Sequence, residues 1–254
     1  MVMRILSWGS VSKAGESKQS NADRVRFGNS FCGIADGVSQ SYLPGQWAEK
    51  LLGIVEKRAS NIDSAEVFAE IIQGDPMLGK SEKMTETSWY GKRLESRGGQ
   101  TTILWCRETS AKRYQVWNWR KQTLTLFSVG DCQVFVVTNS GEFVNGWPFE
   151  QGTEYPASNG AVSETQPHVR GKLQSKVLDK QSHQILMVTD ALGRYIHSRL
   201  HLENGWGAPN FLAKVFPLVL GVSGDTSEAL SDWVSQERND QLADDDTTFI
   251  LLKT

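Results

Sequence analysis

The strand-like and helical stretches of this chain come in blocks rather than in alternation, and that order limits the folds open to it. Residues 4–8 and 31–35 are short, β-prone and ended by polar residues or glycine, as strands are. Over 46–58, Trp47, Ala48, Leu51, Leu52, Ile54 and Val55 recur at helical spacing, and Asp63 with Glu66 reads as a capping box opening a second helix over 64–73. Residues 101–106, 113–118, 124–129 and 133–138 alternate or run apolar between turn signals at Gly130-Asp131 and Asn139-Ser140-Gly141, which predicts an antiparallel meander. Residues 184–189 read as a buried strand, 210–220 as an apolar helix containing Pro217, 227–238 as a helix opened by Asp225 and Glu228, and 248–252 as a closing strand. Strands, two helices, more strands, two helices and a last strand make an α+β protein with helix pairs covering antiparallel sheets, not a βαβ repeat.

Between these blocks, 145–180 is polar, rich in Gly, Pro and Ser, and nearly aperiodic, so a long surface excursion with one strand pair is expected there. No other segment reads as a linker, and a 254-residue chain with nine Trp and ten Phe can build a sizeable core, so one domain over 1–254 is expected. The net charge of -2 is carried by Lys and Arg spread along the chain, with no basic footprint for a nucleic-acid partner. Cys32, Cys106 and Cys132 form no CxxC and lie in or beside apolar runs, as buried thiols of a reducing compartment do. Residues 1–11 are too polar for a signal peptide, and no apolar run nears the roughly 20 residues of a membrane span, so a cytoplasmic chain without a membrane partner is expected.

Four aspartates share one placement. Asp36 ends the run from Phe31, Asp131 sits in a turn between strands, Asp190 ends the run from Ile185, and Asp245 precedes the last strand. A carboxylate at a strand edge is held rigidly yet reaches a cleft, which is what a hard divalent cation requires of its oxygen ligands. Each has a plain alternative: Asp36-Gly37 and Gly130-Asp131 are common turn pairs, and Asp244-Asp245-Asp246 suits a solvated loop. The sequence also lacks a nucleophile elbow, a Cys-x5-Arg loop, a P-loop and an HExxH pattern.

Taken in order, Asn21-Ala22-Asp23-Arg24, Ile34-Ala35-Asp36-Gly37-Val38, Gly99-Gln100-Thr101-Thr102, Val129-Gly130-Asp131-Cys132, Val188-Thr189-Asp190-Ala191-Leu192 and Asp245-Asp246-Thr247-Thr248 resemble the motif series of the metal-dependent protein phosphatases of the 2C type, bacterial branch. The resemblance runs from about residue 5 to 252. It implies a four-layer α-β-β-α sandwich of two antiparallel sheets flanked by helix pairs, and hydrolysis of phosphoserine and phosphothreonine in proteins phosphorylated by a partner kinase. It also implies two ions, Mn²⁺ or Mg²⁺, bridged by Asp36, with the Gly37 carbonyl on one and Asp190 and Asp245 on the other. Asp23 would hold a water on the metal, Asp131 would serve a further, loosely bound ion, and 145–180 would hold a flap beside the cleft.

The chain departs from that pattern at several points. Lys18 stands where the family usually has an arginine that grips the substrate phosphate, and lysine lacks the bidentate fork. Ala22 and Ala191 replace other residues beside Asp23 and Asp190. Arg194 falls where an aspartate often completes the third ion's site; it either enters the cleft as a fixed positive charge, for that ion or for the substrate phosphate, or is a surface arginine. His197 and His201 have i, i+4 spacing, a metal pair on paper but without a third ligand nearby. His168 and His183 are possible proton donors, and Trp117 with Trp119 share a strand face and suit a core or rim role. Two other functions remain open: a phosphatase-fold module that binds a phosphorylated or acidic partner without turnover, and hydrolysis of small phosphate esters.

Overall fold

The structure is a computed structural model that describes residues 3–75, 89–110, 122–138, 142–149, 160–163, 173–179, 183–205, 208–220, 223–238 and 242–253. Its strands are β1 (Arg4–Val11), β2 (Arg24–Phe27), β3 (Phe31–Gly37), β4 (Gln100–Ser110), β5 (Gln122–Val129), β6 (Gln133–Thr138), β7 (Phe143–Trp147), β8 (Val162–Ser163), β9 (Gln174–Asp179), β10 (His183–Val188), β11 (Gly224–Asp225) and β12 (Thr247–Lys253). The helices are α1 (Pro44–Arg58), α2 (Ala65–Gly74), α3 (Trp89–Arg97), α4 (Asp190–Leu202), α5 (Phe211–Val215) and α6 (Ser227–Glu237). One sheet has the order β11-β1-β12-β10-β6-β7; the other runs β2-β3-β4-β5-β9, with β8 on β4. All pairings are antiparallel except the short β1–β11 pair.

Strand alternation builds the layers. Cys32 and Ile34 of β3, Leu104 and Cys106 of β4, and Leu124 and Leu126 of β5 face Val134, Val136, Ile185, Met187, Ile250 and Leu252 of the other sheet. The residues between them point outward: Ala35, Ile103, Trp105 and Phe127 meet α1 and α2, while Phe135, Leu186, Phe249 and Leu251 meet α4, α5 and α6. The result is an α-β-β-α sandwich. Trp105 stacks on Phe68 and Phe127, with centroids 5.5 and 5.0 Å away, and burying each such side chain stabilises by about 1.5–3 kcal/mol.

The structure corrects several expectations. β5 and β6 do not continue one meander: β5 pairs with β4 and β9, and β6 pairs with β10 and β7 in the opposite sheet. The chain changes sheets at Gly130, whose φ of +102° a side chain would resist. The second helix is capped by Ser64, whose hydroxyl accepts from the Val67 N–H at 3.3 Å, not by Asp63. The 210–220 helix breaks into α5 and a 3-10 turn at Pro217, because proline has no N–H to continue the ladder. The 145–180 excursion yields β8 and β9, which extend the second sheet by pairing with β4 and β5. Trp117, Trp119, His168 and the 113–118 strand lie outside the described residues. The three cysteines are buried and free, and among the described residues no helix is long and apolar enough to cross a membrane.

Candidate active site

At one end of the sandwich the inward-facing positions stop being aliphatic. The alternation that turns Cys32 and Ile34 inward places Asp36 next, and Ile250 leads back to Thr248 and Asp246. Thr102, paired with Asp36 across the sheet, and Thr189, beside Asp190, are buried here as well. Asp36 is fixed from its own backbone, since the Thr101 hydroxyl donates to its carbonyl at 2.6 Å. Gly37 leaves no space for a side chain: a Cβ there would lie 2.8 Å from the Pro44 carbonyl and 2.9 Å from that of Ala22. That close approach presses the end of β3 against the segment carrying Asp23.

Asp23 is held from two directions. Asn21 accepts from its N–H at 2.7 Å and itself donates to Ser10 Oγ at 2.9 Å. From the other sheet, Asp246 Oδ2 accepts from the Ala22 N–H at 2.6 Å and Oδ1 from the Lys13 N–H at 3.0 Å. Asp246 is thus a buried clamp, a role the sequence did not separate from its neighbours in the Asp244–Asp246 run. Asp245 turns the other way: its Oδ1 accepts from the Asp246 N–H at 2.9 Å, and Arg238 anchors its carbonyl at 2.9 Å. Asp131 follows the strained Gly130 turn, where a Cβ would come within 2.4 Å of Thr102. Asp190 opens α4, where the helix dipole favours a carboxylate.

These carboxylates sense one another. Burial pushes Asp36 well above the usual carboxylate range, and Asp23, Asp190, Asp131 and Asp245 push it further. Burial raises Asp23 to about 8, with Asp246 adding to the effect, while the Thr248 and Thr189 hydroxyls nearby oppose it. Both hydroxyls have further partners: Thr189 Oγ1 accepts from the Thr248 N–H at 3.0 Å, and Thr248 Oγ1 pairs with Ser10 Oγ at 2.7 Å. Neither oxygen of buried Asp23 has a hydrogen-bond partner of good geometry. Asp131 and Asp190 are also raised by burial, Asp131 further by Asp190 and Asp190 further by Asp245, with the Arg194 guanidinium opposing both.

Arg194 is exposed, as a surface arginine is, and its guanidinium also reaches the cluster. Its Nη2 lies 2.8 Å from Asp190 Oδ2, one helical turn earlier, and 3.6 Å from Asp131 Oδ2. Lys18 stands apart: it is exposed, and with Lys13, Ser231 and Arg238 it lines a separate crevice between α6 and the segment after β1. His197 is buried while His201 is exposed, so the two do not share one environment, and His183 is half-buried at the start of β10. Among the described residues no three His, Cys, Asp or Glu side chains close tightly enough to grip an ion as they stand.

The donor chemistry still fits a pair of divalent cations. Asp36, Asp190, Asp245 and the Gly37 carbonyl are hard oxygen ligands, and a set of carboxylates that favours protons when buried together is one a cation would relieve. It does not fit a further ion between Asp131 and Asp190, where the guanidinium already lies.

No family model matches the chain, and no curated protein matches it in sequence. Solved structures do match. The serine/threonine phosphatase Stp1 from Staphylococcus aureus superposes with a TM-score of 0.57 at 16% identity, covering 100% of this chain and 95% of its own. The catalytic domain of the serine/threonine protein phosphatase PstP, solved with two manganese ions, gives 0.54 at 14% identity, covering 99% and 98%. This chain has the fold of the 2C-type serine/threonine phosphatases. RsbX, solved with magnesium, shares that phosphatase fold with a TM-score of 0.51 at 18% identity, covering 99% of this chain and 95% of its own.

Proposed function

We propose that the chain hydrolyses phosphoserine and phosphothreonine in proteins, with water activated by two Mn²⁺ or Mg²⁺ ions. The observation that carries this reading is the convergence of Asp23, Asp36, Asp131, Asp190 and Asp245, supplied by both sheets, at one end of the layer between them. Because both sheets contribute, the proposal treats 1–254 as one domain. Asp36, Asp190, Asp245 and the Gly37 carbonyl would hold the ions. Bound there, two such ions lower the pKa of a water towards neutrality and offset the charge on the phosphoryl oxygens.

The chain's own residues supply rigidity and orientation. Thr101 fixes the Asp36 backbone, and the Asp246 clamp on Ala22 keeps Asp23 at the inner face. Asp23, buried beside the Thr189 and Thr248 hydroxyls, would orient a water for in-line attack. No side chain need be phosphorylated. Burial, and then Asp36, hold the nearby Cys132 thiol well above its usual range, which leaves it a poor nucleophile. A kinase that phosphorylates the same substrate is the implied counterpart.

The test is hydrolysis of a phosphothreonine peptide by purified protein in Mn²⁺ and in chelator, beside an Asp36→Asn variant. Turnover is expected only with the metal, and to fall about 10²–10³-fold in the variant. A folded, metal-loaded wild type without turnover would replace this reading with the module that binds a phosphorylated or acidic partner. Turnover of small esters but not of phosphopeptides would favour the small-ester hydrolase.

A further inference from the structure

The cluster described above carries several acidic side chains at the end of one layer, and Arg194 is a cation in ion-pair contact with it. Arg194 and Asp190 lie one turn apart on α4, which is pinned to the sheet through buried Leu192, Ile196 and Leu200, so the backbone keeps the two side chains on neighbouring positions of one helix face. Asp131 and Asp190 keep only 13% and 15% of their side-chain surface exposed, against 44% for Arg194. One guanidinium nitrogen reaches Oδ2 of both carboxylates.

We propose that Arg194 is a tethered cation that closes the Asp131–Asp190 pair to exchangeable divalent ions and holds Asp190 in place for the ions bound deeper. This deepens the reading above and rests on it. Arg194 is here a positioning residue, acting through the two aspartates. An ion entering between Asp131 and Asp190 must displace a group whose return is intramolecular. The tethered guanidinium re-forms its contact without drawing on solution, so it competes best against an ion that binds loosely. A guanidinium does this at any metal supply, whereas a loosely held ion would come and go.

The experiment counts Mn²⁺ bound per chain by equilibrium dialysis over a range of free metal up to millimolar. Wild type, Arg194→Ala and Arg194→Lys are compared after each has shown a cooperative melt. Arg194→Gln, which keeps a polar stem, replaces the alanine variant if that one does not fold. Arg194→Ala is expected to hold one ion more than wild type, and Arg194→Lys to match wild type because it restores a tethered charge. Equal, non-zero counts in wild type and Arg194→Ala would overturn the inference while leaving the proposed function standing. An extra ion in Arg194→Lys as well would also overturn it. If no form binds Mn²⁺, this inference and the reading beneath it both fall.

Discussion

The layer between the two sheets is apolar at one end and acidic at the other, and the change takes place within two to four residues along the chain. In β3 the step is from Ile34 to Asp36; towards the start of β12 it runs from Ile250 through Thr248 to Asp246. At the apolar end, close packing stabilises the fold directly. At the acidic end the fold holds like charges together against desolvation and mutual repulsion, and burial raises Asp36 and Asp23 accordingly. One end of the layer thus supplies the stability that lets the other be kept in an unfavourable state, as functional sites commonly are.

Breaking the apolar end should give the largest change in stability. Ile34→Ala is expected to lower unfolding stability by about 2–5 kcal/mol, since Ile34 is fully buried among side chains of both sheets. Denaturant titration reads that loss; if the substitution costs nothing, the inter-sheet layer is not the support described here.

The acidic end makes a prediction in pH. A carboxyl that holds its proton more tightly when folded makes folding take up protons, so its stabilising contribution is complete at low pH and is lost as pH rises through the folded value. For Asp23 the window runs from its ordinary 3.8 to about 8. The metal-free protein should melt progressively lower between about pH 4 and pH 8; each kcal/mol corresponds to about 2–4 °C in a chain of this size, so a fall of several degrees is expected. Excess Mn²⁺ should flatten that slope, whereas a melting temperature that climbs across the window in chelator would contradict the arrangement.

The smallest effect is expected outside the comparison altogether. Lys18 is exposed and lines the crevice beside α6, so Lys18→Ala should change phosphopeptide turnover by less than about twofold, as a surface substitution that also leaves stability within about ±0.5 kcal/mol. A loss of tenfold or more would place Lys18 in the phosphate site after all.

The acidic end was legible in the sequence as aspartates at strand edges, and the structure adds the reason: the alternation that turns Cys32 and Ile34 inward commits Asp36 to the same face. Other features were hidden for physical reasons. Gly130-Asp131 reads equally well as a hairpin turn and as a crossing between sheets, so the separation of β5 from β6 could not be foreseen. Three consecutive aspartates look alike until the backbone direction is known; Asp246 turns back to Lys13 and Ala22 while Asp245 faces the cluster. α4 went unread after the apolar run that makes β10, although Leu192, Ile196 and Leu200 carry its spacing. Once Asp190 and Arg194 share that helix, one turn apart, the direction of Arg194 follows.

The most direct test of the comparison is the thermal melt of wild type and Asp36→Asn at pH 8, each in chelator and in Mn²⁺. Asparagine removes a buried like charge without changing shape, so the variant should melt above wild type by a few degrees in chelator, where each kcal/mol is about 2–4 °C. Wild type should gain from Mn²⁺ and the variant little. Equal gains in both, or a variant less stable than wild type in chelator, would contradict the claim that the acidic end is strained by repulsion that a cation relieves.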